Sequence, residues 1–191
     1  AEQCVLSDGE IREAIENTIE FLQVEEYDSP IFNKDIKMPS LYLDKPQEER
    51  DEIYKQLIRN GFKAYSKDIP LEQRRHYIDE IAKEEQTVID TKTADYFIIN
   101  HEVIKQGKKN GGHLTKSGRG SAVSFVTNML LGFTEVDRIA ATVKMYPERF
   151  MSTERILQSG SLPDIDFNVD NQEPFALAQK QVLGDDHAYP M

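Results

Sequence analysis

The chain has 191 residues, of which 39% are hydrophobic and 30% charged, and its formal net charge is -11. That is apolar material for one domain, or for one domain with a helical extension, and no apolar run approaches the roughly 18 residues that a membrane span needs. A single cysteine, Cys4, excludes an internal disulfide; no basic, then apolar, then small-residue start reads as a leader, and a cytoplasmic home is the simplest expectation.

In chain order, Ser7-Asp8-Gly9-Glu10 has the form of a helix start. Ile11, Ala14, Ile15, Thr18 and Ile19 then recur at helical spacing. Residues 27–46 contain Pro30, Pro39 and Pro46 without a lasting period, which predicts a connector. Residues 47–60 predict a helix with Ile53, Leu57 and Ile58 on one face, stopped by Gly61. Residues 71–91 predict a long charged helix with Tyr77, Ile78, Ile81, Val88 and Ile89 inward. The apolar run Tyr96-Phe97-Ile98-Ile99, followed by Val103-Ile104, suits a strand or a buried helix, and its period does not decide between them. A glycine-rich loop follows over 110–121, with Ser121 placed to cap a helix running through Phe125, Val126, Met129 and Leu130 to Gly132. Leu162-Pro163-Asp164-Ile165-Asp166-Phe167 alternates with period 2 and predicts a strand. Residues 175–183 predict a last amphipathic helix, and Gly184-Asp185-Asp186 turns out of it. There is no internal repeat and no low-complexity segment.

The acidic balance argues against a nucleic-acid binder, whose footprint is usually basic. The charge is uneven, however. No Asp or Glu occurs from Val103 to Thr134, a stretch that carries Lys105, Lys108, Lys109, Lys116 and Arg119. A locally basic, glycine-rich segment can hold a phosphate; the competing reading is a solvated charged loop.

Three groups of residues have a chemistry to offer. On an extended segment Asp164 and Asp166 point to one face, roughly 7 Å apart, while Ile165 and Phe167 point to the other. Two such carboxylates repel unless a cation neutralises them, and Mg²⁺ accepts an all-oxygen ligand set. A solvated acidic face is the alternative. A calcium loop of the EF-hand type is excluded, because Val169 and Phe175 stand where it needs Gly and Glu. Next, Gly118-Arg119-Gly120-Ser121 opens a predicted helix, so backbone N–H groups there can approach a phosphate. It is not a Walker A loop, since Thr115 precedes Lys116-Ser117, nor a dinucleotide fingerprint, since Val123 stands where a third Gly is needed. Finally, Arg149 and Arg155 can each bind a phosphate in bidentate fashion, or else pair with Glu148 and Glu154 on the surface. His76, His101, His113 and His187 share no metal-ligand spacing, and Cys4 has no neighbouring base.

The order of these motifs resembles the alpha subunit of bacterial DNA polymerase III, the C-family replicative polymerases. The resemblance is carried by Asp95-Tyr96-Phe97-Ile98-Ile99, by the basic run 104–111, and by Gly118-Arg119-Gly120-Ser121. It continues through Leu131-Gly132-Phe133-Thr134-Glu135-Val136-Asp137, Glu148-Arg149-Phe150-Met151-Ser152-Thr153-Glu154-Arg155, and Pro163-Asp164-Ile165-Asp166-Phe167. It covers residues 95–167 well and 1–94 loosely, chiefly through Ile15-Glu16-Asn17-Thr18. It implies an α+β fold: a helical lead-in over 1–94, then the front of a polymerase-beta-like nucleotidyltransferase palm over 95–191, with a mixed sheet.

By the same resemblance Asp164 and Asp166 would hold two Mg²⁺ ions. Gly118, Gly120 and Ser121 would cradle the nucleotide triphosphate, and Arg149 and Arg155 would neutralise it. The implied partners are primer-template DNA and deoxynucleoside triphosphates, with the sliding clamp and other replisome subunits bound through regions outside this chain. The family's third catalytic aspartate is expected beyond Met191, so the chain alone is expected not to polymerise. Three departures stand out. Lys116-Ser117 replaces a Gly-Pro, a few extra residues occupy 156–160, and Asn168-Val169-Asp170-Asn171-Gln172-Glu173 replaces an arginine-containing helix. The first departure leaves Arg119 outside the carried-over set. The alternatives are another metal-dependent transferase with a D-x-D segment, or an acidic interaction module with no enzymatic role.

Overall fold

The computed structural model describes residues 6–19 and 38–188. The chain divides into two compact units, Ala1–Asp35 and Ile36–Met191. In the first, helix α1 (Asp8–Asn17) starts as its sequence predicts. The Ser7 hydroxyl accepts from the Glu10 amide at 3.4 Å, and Glu10 accepts from the Ser7 amide at 2.7 Å, a reciprocal capping box. Residues 27–37 of the expected connector lie outside the described residues.

The second unit is built on three long helices, α2 (Gln47–Tyr65), α3 (Leu71–Asp90) and α4 (Ala94–Lys109). Pro46 and Pro70 stand at the N-caps of α2 and α3, where a missing N–H costs nothing. Short α5 (Val126–Leu130) and α6 (Thr153–Ser159) follow, then α7 (Glu173–Leu183). The apolar run at 96–104 is helical: α4 buries Phe97, Ile98, Val103 and Ile104. Its first turn is anchored by Asp95, which is 2% exposed and accepts from Ser40 at 2.5 Å and from Arg50 at 2.7 Å.

Gly61 does not end a helix. It sits inside α2, where a β-carbon would lie 2.3 Å from the Leu130 carbonyl oxygen. The glycine is there so that α5 can lie directly on the α2 backbone. The core runs through a chain of aromatic rings: Tyr54 to Phe97 (5.7 Å), Phe97 to Phe150 (6.2 Å) and Phe150 to Phe125 (4.9 Å). The last two contacts are edge-to-face, the arrangement that ring quadrupoles favour.

The expected mixed sheet is absent: the described residues contain no strand, only an isolated antiparallel bridge between Leu114 and Val169. The α+β palm expectation is therefore corrected to a helical architecture. The physical reason lies in residues 96–104. Their side chains are buried around a helix rather than across a sheet, so this run supplies no strand, and among the described residues no ladder forms on 162–167. The alternation of that segment survives without a ladder. Ile165, Phe167 and Val169 pack on the core and Asp164 and Asp166 are exposed, with the Phe167 ring edge-on to Phe133 at 5.7 Å.

Phe150 is completely buried at the centre of the aromatic chain. Phe150→Ala should lower unfolding stability by about 3–5 kcal/mol, seen as a shifted midpoint in urea denaturation.

Candidate active site

The glycine loop and the aspartate segment come together. Gly120 has φ +66°, a left-handed conformation that favours glycine, and a β-carbon there would lie 2.1 Å from Asp166 Oδ2. The Asp166 carboxylate therefore rests directly on the loop backbone. Gly118 makes a second close approach: a β-carbon there would lie 2.5 Å from Val123 and 2.8 Å from Val136. The loop is thus seated on the 134–137 turn. That turn is itself held by Asp137, which accepts from the hydroxyls of Tyr65 and Tyr77, each at 2.5 Å, and from the Ile139 amide at 2.8 Å. Burial, with Asp137 beside it, pushes the Tyr65 phenol up to about 12.

The aspartate segment is fixed at both ends. At its start the Tyr96 hydroxyl, from α4, donates to the Pro163 carbonyl at 2.8 Å. Burial raises the Tyr96 phenol, and the negative charge of Asp164 close by raises it further. At its end Thr115 N donates to Asn168 O at 2.8 Å and Asp170 N to His113 O at 3.1 Å. The His113 amide in turn donates to the Asp170 carboxylate at 2.9 Å, which holds that carboxyl below its ordinary range.

Asp164 and Asp166 are exposed, and among the described residues no hydrogen bond or ion pair takes up their oxygens. They are hard oxygen donors on one face, so they fit a Mg²⁺ ion that keeps part of its shell as water or phosphate oxygen. Among the described residues no group of three or more His, Cys, Asp or Glu could hold a metal, so this pair would supply only part of a coordination sphere.

Ser121 does not cap a helix as expected. It precedes a single 3₁₀ turn (Ala122–Ser124), its side chain makes no capping bond, and its carbonyl accepts from Ser124 N at 2.9 Å. The predicted helix is reduced to the five residues of α5, and the N-terminus of α5 is already occupied. Glu84 of α3, 1% exposed, accepts from Val126 N at 3.0 Å, Thr127 N at 2.8 Å and the Thr127 hydroxyl at 2.9 Å. Arg138 neutralises it, with Nε at 2.8 Å, and also reaches Glu80 at 2.9 Å. Burial pushes the Glu84 carboxyl up against the pull of Arg138 and the amides. The backbone donors left for a phosphate are those of residues 118–121 themselves.

Arg149 and Arg155 are exposed, and neither pairs with Glu148 or Glu154 among the described residues. Arg155 donates to the Arg149 carbonyl at 3.4 Å, so the two are linked to each other. No hydrogen bond or ion pair brings either arginine to Asp164, Asp166 or the glycine loop.

Sequence reasoning missed Glu84, Arg138, Tyr96 and Asn168. A signal existed for the first: Tyr77, Ile81, Glu84 and Val88 fall on one stripe of α3, so an acid stands in line with buried apolar residues.

The family model for the bacterial DNA polymerase III alpha NTPase domain matches residues 52–189. The chain belongs to the bacterial DNA polymerase III alpha family. It is similar to the DNA polymerase III subunit alpha of Aquifex aeolicus, 28% identical over 162 residues, or 84% of this chain and 13% of that protein. The subunit of Campylobacter jejuni is 29% identical over 116 residues, covering 61% of this chain and 9% of the relative. That of Staphylococcus aureus strain N315 is 30% identical over 95 residues, covering 50% and 8%. The chain thus spans roughly a tenth of the length of the curated relatives it matches.

Gly120→Ala should strain the loop and displace the Asp166 carboxylate, at a cost of more than about 1 kcal/mol in thermal unfolding. Arg138→Ala, which leaves Glu84 buried without its partner, should cost about 3–5 kcal/mol in the same measurement. The neighbouring carboxylate predicts a pH effect. Burial acts to raise Glu80, but Lys83 and Arg138 outweigh it and hold the carboxyl below its ordinary range. Its contribution is complete above the ordinary carboxylate pKa and is lost as the pH falls through the depressed value. Glu80→Gln should therefore flatten the acid limb of a stability–pH curve.

Proposed function

We propose that the chain forms part of the active site of a DNA-directed DNA polymerase, which transfers deoxynucleotides to a primer 3′-hydroxyl under the direction of a template. The observation that carries this reading is the contact of Asp166 with Gly120, which sets a pair of carboxylates against a loop whose amides at 118–121 donate to no backbone acceptor among the described residues.

In this reading Asp164 and Asp166 hold Mg²⁺. Bound there, the two ions of such a site stabilise the attacking and leaving oxygens of an in-line displacement. Residues 118–121 receive the triphosphate through their backbone N–H groups, with the Ser121 hydroxyl as a further donor. Arg149 and Arg155, exposed and without carboxylate partners among the described residues, offer charge to phosphate oxygens. The primer 3′-hydroxyl gives up its proton to solvent, its oxygen forms a new bond to the α-phosphorus, and the bond from that phosphorus to the α–β bridging oxygen breaks, so that pyrophosphate leaves with the bridging oxygen. Primer-template DNA and deoxynucleoside triphosphates are the partners this implies, and the cytoplasm is its place. Because the chain spans so little of its relatives' length, we expect the 191-residue chain by itself not to extend primers.

Asp164→Asn and Asp166→Asn, placed in the whole polymerase chain that contains these residues, should each abolish primer extension in Mg²⁺ while DNA binding survives. Extension by either variant near the unsubstituted rate would return the two carboxylates to a solvated acidic face.

A further inference from the structure

The two segments of the candidate site touch at several points, and one of those contacts is between the parts that carry the chemistry. Gly120 meets Asp166. Two residues further along the aspartate segment, Asn168 makes the second contact. Its amide nitrogen donates to the Ser117 hydroxyl at 3.1 Å and to the Ser117 carbonyl at 3.3 Å. Its own carbonyl accepts from Thr115 N at 2.8 Å. The Ser117 hydroxyl also shares a hydrogen bond with the Thr115 hydroxyl at 2.9 Å. The bridge between Leu114 and Val169 follows, and then the reciprocal pair of His113 with Asp170. The segments therefore run antiparallel from Gly120 and Asp166 at one end to His113 and Asp170 at the other.

This clasp answers a problem that the fold creates. An extended segment keeps its side chains on the correct faces only if its register is fixed, and a slip of one residue would turn Asp164 and Asp166 inward. A sheet would fix that register through many ladder bonds. Here one bridge stands beside side-chain bonds, and Asn168 is the residue that both receives a backbone bond and returns two. A side-chain amide does this without bringing in a charge. Its NH₂ group offers two hydrogens at once, whereas Asp offers none when ionised and Ala none at all.

We propose that Asn168 is a positioning residue that locks the glycine loop to the aspartate segment, so that a triphosphate on residues 118–121 and the carboxylates of Asp164 and Asp166 are held in one fixed relation. This rests on the polymerase reading above. Asn168 itself touches neither nucleotide nor metal. Its loss leaves the loop able to bind the triphosphate and the carboxylates able to bind Mg²⁺, and disturbs only the geometry between them. The defect belongs to the chemical step and not to nucleotide affinity.

The test is single-nucleotide incorporation by the whole polymerase chain, comparing Asn168→Ala, Asn168→Asp, Ser117→Ala, the Asn168→Ala/Ser117→Ala pair, and Asp166→Asn as reference. Asn168→Ala and Asn168→Asp should each lower kcat by up to about tenfold, the range for loss of one or two neutral hydrogen bonds, with KM for the nucleotide within about twofold of the unsubstituted value. Adding Ser117→Ala to Asn168→Ala should cost less than the sum of the two single losses, because the Asn168–Ser117 bond is already gone and only the Ser117–Thr115 hydroxyl pair remains to be lost. In the 191-residue chain the Thr115 and Asp170 amides should exchange hydrogen faster in Asn168→Ala while amides of α4 do not. Unchanged kcat in both Asn168 variants, additive losses in the pair, or a rise in KM with kcat unaltered would each overturn the proposal while leaving the polymerase reading intact if Asp166→Asn is dead. If Asp166→Asn extends primers normally, the reading and the proposal fall together. Should Asn168→Ala fold poorly, Asn168→Asp and Ser117→Ala decide, since both keep the size of the site.

Discussion

A buried carboxylate holds the centre of this molecule together. Glu84 reaches from the middle of α3 to the first two amides of α5 and to the Thr127 hydroxyl, and Arg138 closes the network from the other side. A five-residue helix cannot form on its own in water, since nucleation costs more than so few bonds return. Here its exposed donors are satisfied by a charged acceptor, which makes them stronger bonds than neutral ones. The desolvation of Glu84 is tolerated because every direction in which its oxygens point holds a donor. Removing Arg138 from such a pair is far more costly than the pair is stabilising. The network joins α3, α5 and the 134–146 segment, and these carry the glycine loop between them.

One consequence is chemical. An α-helix N-terminus following a glycine-rich loop is an obvious place for a phosphate, because unsatisfied N–H groups and the helix dipole both attract anions. That place is taken. The carboxylate of Glu84 already sits at the start of α5, and a phosphate brought there would meet like charge. Any anion held by this region has to be held one step earlier, by residues 118–121. Their left-handed Gly120 and close-packed Gly118 shape the backbone, and Lys116 and Arg119 stand exposed nearby in sequence. The proposed triphosphate contact would therefore fall to the backbone of the loop itself and not to the start of a helix.

Much of this was legible in the sequence, for a reason that differs from place to place. Ser7 and Glu10 encode a helix start locally, since both halves of the capping box lie within four residues. The stripe Tyr77, Ile81, Val88 encodes α3 because its burial is one-sided and periodic. The alternation at 164–167 correctly places Ile165 and Phe167 inward and the aspartates outward, because period 2 describes any extended chain on an apolar surface. Whether such a chain joins a sheet depends on a partner, which no local pattern contains. The run 96–104 could have been that partner on its composition alone. Burial on more than one side made it helical. Gly61 misled because a glycine inside a helix and a glycine after one look alike in a sequence. What separates them is the Leu130 carbonyl, 69 positions away. Ser121 misled likewise, since the Ser124 amide it would have capped bonds the Ser121 carbonyl in a 3₁₀ turn, and the first donors of α5 are taken by Glu84 from 42 positions upstream.

The exposed state of Asp164 and Asp166 fits the same logic. Nearly every other strategically placed acid in the second unit is matched: Asp95 by Arg50 and Ser40, Glu84 by Arg138, Asp137 by two tyrosine hydroxyls, Asp170 by the His113 amide. These groups do structural work, and each is saturated by protein donors. The two aspartates of the extended segment are positioned with equal care, by Tyr96 before them and the clasp after them. Yet among the described residues no cation pairs with them, although Lys and Arg are available elsewhere on the surface. A fold that fixes two carboxylates on one face and leaves their oxygens open among the described residues presents a pair of hard oxygen donors to solvent, and the rigidity that holds the pair in place is what a proposed cation site there would draw on.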